Sequence, residues 1–143
     1  MSITAANAVV TLSIGTLFPI PQTLSQFSMD DIFSSEPIDT AEIQMGADGY
    51  MTAGIIYVPV KLDISLLADS ASNTLFENWY MAEQALKDKI YASGLITLIS
   101  TGKKYSMVKG VLTSYPTMPN AKKVLQPRKY GITWQAISPA VAL

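Results

Sequence analysis

Apolar and polar residues alternate with period two at the start of the chain, where Val10, Leu12 and Ile14 face one way and Val9, Thr11 and Ser13 the other, which predicts a strand over 8–14. From Gly15 to Pro37 the pattern is irregular. Pro19, Pro21 and Pro37 argue against regular pairing throughout, yet Leu17, Phe18, Ile20, Leu24, Phe27, Ile32 and Phe33 are too apolar for a free linker. This long extended N-terminal segment needs a surface to lie on, its own core or a neighbouring copy. Ala41 to Leu67 reads as a strand, a turn at Ala47-Asp48-Gly49 and a second extended run in which Ile56, Val58, Val60, Leu62, Ile64 and Leu66 share a face. Asp-Gly favours a hairpin turn because both residues tolerate positive φ. Eighteen extended residues would span ~60 Å, against a radius of gyration of about 14–15 Å for a globule of this size. The run therefore bends, at Gly54 or Pro59, or the hairpin over 41–67 projects beyond its domain.

Helical spacing governs the next stretch. Leu75, Trp79, Ala82, Leu86 and Ile90 form one stripe widened by Phe76 and Tyr80, which predicts a helix over about 73–92 lying on a sheet. Thr74 and Glu77 have capping-box spacing, Ser72 and Asn73 are alternative caps, and Gly94 reads as the stop. Glu77 near the start and Lys87 and Lys89 near the end suit the helix dipole. Three further strands follow, Leu95 to Thr101, Tyr105 to Tyr115 after a Gly102-Lys103-Lys104 turn, and Lys129 to Ile137 after a Pro116–Pro127 connection. The expected fold is mainly β, a β-sandwich or barrel with one flanking α-helix, in a single domain over 1–143.

Composition narrows what such a domain does. Cysteine and histidine are both absent, which removes thiolate chemistry, the commonest general base and the commonest metal ligand. No enzyme is expected, and no catalytic, cofactor-binding or metal site. Charged residues are 15% of the chain and apolar residues 49%, against a usual charged share of about 25%. No run reaches the ~18 apolar residues of a membrane span, so no span is expected. The apolar surplus is best buried between copies, since obligate interfaces resemble a core cut in half. Charge is also split along the chain. Residues 1–60 hold Asp30, Asp31, Glu36, Asp39, Glu42 and Asp48 and no base, whereas all ten bases fall between Lys61 and Lys129, for a net charge of −1. A dipolar subunit suits head-to-tail stacking, in which unlike ends attract.

The local constellations carry little chemistry. Gly46-Ala47-Asp48-Gly49 lacks the ending of a phosphate loop and the acids of a calcium loop, and reads as a hairpin turn. Asp30 and Asp31 are adjacent, so in extended chain their carboxylates point apart, which favours a solvated or inter-subunit role over a catalytic pair. Lys122, Lys123, Arg128 and Lys129 crowd into eight residues beside Tyr130. Three readings stay open for them: pairing with the acidic 30–48 region of another copy, a solvated loop, and a nucleic-acid patch.

In the order of four segments, QFSMDDIF (Gln26 to Phe33), MGADGYMTAG (Met45 to Gly54), LADSASNTLFENWYMAEQ (Leu67 to Gln84) and PNAKKVLQPRKYGITWQAI (Pro119 to Ile137), the chain resembles tail tube proteins of long-tailed, mostly contractile-tailed, bacteriophages. The resemblance implies hexameric rings stacked head-to-tail into a hollow tube, with genomic DNA passing transiently through the lumen. It also implies sheath, tape measure, baseplate and tail terminator proteins as partners. Contacts between subunits or rings are then expected at Phe27, Asp30, Asp31, Phe33, Met45, Asp48, Gly49, Tyr50, Lys122, Lys123, Arg128 and Lys129. A tailocin or a type VI secretion-like device shares the architecture, and a monomeric β-barrel binding module remains the alternative from another class.

Overall fold

Most of the buried apolar side chains belong to one sheet, and the rest come chiefly from the helix that covers it. The computed structural model describes residues 8–15, 17–25, 27, 32–99 and 101–141. Along the chain these form β1 (Ala8–Ile14), β2 (Phe18–Thr23), β3 (Phe33–Ser35), β4 (Ala41–Met45), β5 (Met51–Ile55), β6 (Val60–Leu66), α1 (Asn73–Leu86), β7 (Ala92–Leu98), β8 (Lys103–Ser114) and β9 (Arg128–Val141). Seven strands make an antiparallel sheet in the order β2-β1-β7-β8-β9-β6-β3, and β4 pairs only with β5.

The register shows how the inner face is built. One row across the sheet runs Ile14, Ala92, Gly110, Trp134, Val60, and the next runs Leu12, Gly94, Met107, Ile137. Both rows point inward, with Trp134, Ile14, Leu12 and Met107 almost wholly buried. Lys109 takes a left-handed φ of 50° and marks where inward positions change parity, from Met107 and Ile137 on one side to Gly110 and Trp134 on the other. β1 and β7 line one half of the long β8–β9 ladder and β6 and β3 the other. The sheet therefore curls on a shear, and Leu98 of β7 meets Phe33 of the margin strand β3, four strands away, and Ile38 just beyond it around a common cavity.

α1 closes one end of this curl. Phe76 stacks on Tyr130 at 4.1 Å between centroids, and Tyr80 stacks on Tyr115 at 4.3 Å. Leu75, Phe76 and Trp79 are buried, as the stripe predicts, but the helix ends at Leu86 rather than near 92, and Leu86 itself is exposed. The reason is the buried Glu83. Its carboxylate accepts the Ile90 N–H at 2.9 Å and the Lys89 Nζ at 3.3 Å, while Trp79 Nε1 donates to the Ile90 carbonyl at 3.0 Å. Two side chains one turn apart thus hold both backbone groups of Ile90 and turn the chain into β7. Lys87 takes the left-handed cap conformation, with its N–H on the Glu83 carbonyl. Gly94 is not a stop; it lies in β7, where an added Cβ would sit 2.7 Å from Met107 and 2.9 Å from Leu12.

The capping box does not form either. Ser72 is the cap residue without a capping side-chain bond, and Glu77 points to β9, where Arg128 Nη1 donates to it at 2.7 Å. The polar residues before the helix do other work. Ser70 Oγ donates to the Ser25 carbonyl at 2.6 Å and the Ser25 N–H donates to Ser72 Oγ at 3.0 Å. Asn73 donates to the Leu67 and Ala68 carbonyls and accepts the buried Tyr130 hydroxyl at 2.8 Å. Burial, above all, holds the Tyr130 hydroxyl neutral well above the ordinary phenol range.

These bonds also answer what the 15–37 segment lies on. Its described residues are more regular than the prolines suggest and pack on their own chain: Leu24 is buried, and Phe18, Phe27 and Phe33 pack against the core. Pro19 and Pro21 fall in a bulge between the pairs Leu12↔Gln22 and Ile14↔Phe18, on an edge strand. There a missing N–H removes no ladder bond, and the Ser13 hydroxyl bonds the Phe18 and Pro19 carbonyls at 3.2 Å each.

Two substitutions test this packing. An added Cβ at Gly110 would meet the Trp134 ring at 2.5 Å, whereas at Gly54 it meets nothing within 4 Å. Gly110→Ala is expected to lower stability by about 1–3 kcal/mol in urea unfolding, with Gly54→Ala within about 0.5 kcal/mol of the parent; equal effects would place Trp134 elsewhere. Glu83→Ala strands the Ile90 N–H and is expected to cost about 1–3 kcal/mol and to raise amide exchange at residues 88–91, while unchanged exchange there would remove Glu83 from the turn.

Candidate assembly interface

β4 and β5 stand apart from the sheet as a hairpin whose residues are all exposed. The register pairs Ala41 with Ile55, Ile43 with Ala53 and Met45 with Met51, so these six apolar residues share one face; Glu42, Gln44, Thr52 and Gly54 share the other. The turn is a type I turn followed by a left-handed glycine. Gly49 N–H donates to the Gly46 carbonyl at 3.0 Å, Gly46 N–H to the Tyr50 carbonyl at 2.8 Å, and Gly49 has φ of 90°. Asp48 keeps a negative φ and instead accepts the Tyr50 N–H on its carboxylate at 3.2 Å, so only one of the two turn residues uses the left-handed region. The extended run after the turn breaks at 56–59, at Pro59 rather than Gly54, and β6 returns to the main sheet. The projecting part thus ends at Ile55, twelve residues short of the expected Leu67.

The hairpin springs from the open end of the curled sheet. Pro37 and Ile38, which lead into β4, line a cavity of about 490 Å³ together with Phe33, Leu98, Tyr105 and Pro139. The opposite end carries the 116–127 loop, which joins Ser114 of β8 to Arg128 of β9 and folds on itself through Lys122 N–H to the Val124 carbonyl at 3.1 Å and Gln126 N–H to the Asn120 carbonyl at 2.8 Å.

The expected contact residues separate into groups. Met45, Asp48, Gly49 and Tyr50 are exposed on the hairpin, and Lys122, Lys123 and Lys129 are exposed at the opposite end. Phe27 and Phe33 are half-buried against the core, Phe27 bridging to Leu66. Asp30 and Asp31 lie outside the described residues. Arg128 is a correction: it is 4% exposed and is spent inside the protomer, on Glu77, on the Pro116 carbonyl at 2.8 Å and over the Tyr115 and Tyr130 rings. Burial works against its charge, but the Glu77 hydrogen bond and the tyrosines hold its pKa above the ordinary guanidinium value. The basic cluster is therefore three exposed lysines and an internal arginine. Ile43, Met51, Ile55, Met118, Val124 and Leu125 were not singled out in the sequence, although all are exposed apolar residues. The alternation in AEIQM and MTAGI was the available signal.

Among the described residues, no group of three or more acidic, cysteine or histidine side chains converges as a metal site, and no helix is long and apolar enough to cross a membrane. The distinctive geometry is an amphipathic hairpin whose strands pair only with each other among the described residues.

Searches against known proteins locate the fold. A chain in the tube-terminating cap of the anti-feeding prophage superposes with a TM-score of 0.65 at 13% identity, covering 99% of this chain and 93% of that one. One from the sheath/tube terminator of the PVC extracellular contractile injection system, in the extended state, gives 0.64 at 11%, covering 99% and 98%. One from the sheath-tube complex of the same system gives 0.61 at 12%, covering 99% and 93%. Likeness at such identity concerns the fold, which is that of chains from tube, cap and terminator assemblies. No curated protein matches. The family model described as tail fiber protein gp32 matches residues 1–138, so the chain belongs to that family and is a structural, phage tail-related protein.

Proposed function

We propose that this protein is the tube subunit of a phage tail, forming hexameric rings that stack head-to-tail into a hollow conduit for DNA. The observation that carries the reading is the β4–β5 hairpin. An isolated two-stranded hairpin is at best marginally stable in water, and this one presents a wholly apolar face to solvent. A second copy completes it. The curled sheet with one flanking helix, and neighbours in fold drawn from sheath-tube, cap and terminator assemblies, support the same reading.

The role is structural, with no reaction and no cofactor. A conduit for a polyanion works best with few inward bases, because every phosphate contact adds a salt-sensitive hold, and the absence of any base from residues 1–60 leaves much of the chain suited to a lumen. Sheath, baseplate, tape measure and terminator proteins are the proposed partners, with assembly in the host cytoplasm before incorporation into the tail. A second reading, a ring that ends a tube instead of extending it, is favoured by the cap and terminator assemblies among the neighbours.

Negative-stain microscopy with light scattering separates the readings. Tubes of indefinite length are expected from the purified protein at high concentration. Single rings that never stack would replace the tube subunit by the terminating ring, and a monodisperse small species at all concentrations would overturn both.

A further inference from the structure

The two ends of the protomer carry uncovered apolar surfaces of opposite charge. The hairpin face of Ala41, Ile43, Met45, Met51, Ala53 and Ile55 is exposed throughout, Ile43 least at 57% among its large residues, and from residue 36 to residue 55 the chain holds Glu36, Asp39, Glu42 and Asp48 and no base. The 116–127 loop exposes Met118, Val124 and Leu125, at 71%, 70% and 56%, and holds Lys122 and Lys123 and no acid. Its backbone bonds keep it folded without a partner, and the Gln126 amide adds a third by donating to the Val124 carbonyl at 3.1 Å.

These surfaces cannot meet within one copy. The hairpin root sits beside Tyr105 and Pro139, while the loop leaves the far end of the same ladder, beyond Ser114 and Gly131. Nine residues of strand separate the two levels, roughly 30 Å, whereas a five-residue hairpin strand reaches about 17 Å. Two copies placed end to end in the same orientation bring the surfaces together. Such a contact uses different patches on its two sides, so it repeats without closing.

We propose that the apolar face of the β4–β5 hairpin of one copy seats on the 116–127 loop of the next copy along the stack, with Lys122 and Lys123 against the acids that rim the hairpin. This rests on the stacked assembly proposed above and names its joint. The apolar part supplies the burial and the charges fix which ends meet.

The chain has no cysteine, so a pair can be introduced cleanly. Met51→Cys with Val124→Cys, treated with a short bismaleimide, is expected to give a ladder of covalent oligomers on a denaturing gel, and each single variant no species beyond dimer. Stacks visible by negative stain without a ladder would overturn the joint while leaving the tube reading intact. So would a ladder from Met51→Cys with Tyr105→Cys in its place, since the hairpin would then enter the cavity. A small species throughout, in the unmodified protein as well, would remove the tube reading and the joint together. As an independent readout, Lys122→Glu with Lys123→Glu is expected to raise the concentration needed for stacking at least tenfold, with recovery when Glu42→Lys and Asp48→Lys are added. An unchanged threshold would reject the joint.

Discussion

One turn of α1 against the first residues of β9 closes the curled sheet, and the remaining architecture depends on that contact. Asn73 accepts the Tyr130 hydroxyl, Phe76 stacks on the same ring and Glu77 holds the Arg128 guanidinium. Arg128 is buried on one side of the pair while the Glu77 side chain is half exposed, at 49%. Removing Glu77 would therefore leave a buried cation with one carbonyl and two tyrosine rings, a costlier state than an apolar pair in the same place. Because the helix closes this end, the opposite end stays open. The chain leaves that end through Pro37 and Ile38 to build the hairpin.

A sheet that buries only one face has to be finished by something, and here two devices share the task. Within the protomer, the helix together with Leu24 and Phe27, stitched through Ser25 to Ser70 and Ser72, covers the inner face at the closed end. Both margins are guarded by local means: β2 carries two prolines in a bulge, and β3 is three residues long. Neither is an inviting template for a foreign strand. Eight of the 18 exposed large apolar residues among the described residues lie in the hairpin and the 116–127 loop, beside acids in one case and lysines in the other. Copies that associate mainly through these projections, and only secondarily through sheet edges, would gain specificity without long bare strands.

The strands with strict alternation were legible from the sequence. Val10, Leu12 and Ile14 and then Tyr130, Ile132 and Trp134 point inward as their spacing requires. The hairpin turn was legible too, because glycine acts locally, whereas the sequence allows the bend at Gly54 or Pro59 and only the structure places it at Pro59. The misreadings share one cause, the reuse of a locally plausible residue by a distant partner. Thr74 and Glu77 have the spacing of a capping box, but Glu77 is taken by Arg128, 51 residues away. The apolar stripe extends through Ile90, but buried Glu83 takes the Ile90 N–H and ends the helix a turn early. Arg128 looked like one of four surface bases because nothing in RKY marks which side chain turns inward. For the proposed interface, charge counted along the chain pointed to both ends, whereas the apolar half of the hairpin surface emerged only once the register placed six residues on one face.

Charge alone would make a poor joint for a tube. Exposed pairs contribute about 0–1 kcal/mol each and are screened beyond about 8 Å at physiological ionic strength, so a stack held by Lys122 and Lys123 alone would fall apart in ordinary salt. Apolar contact alone would be strong but indifferent to orientation, and two hairpins of equal apolar character could pair face to face and end the growth. The combination avoids both outcomes. Like-charged hairpins repel one another, like-charged loops do the same, and only the head-to-tail arrangement joins apolar surface with favourable charge. The acidic first sixty residues and the basic remainder are, on this view, a device for polarity: they specify which end receives the next copy, while the hairpin face supplies the adhesion.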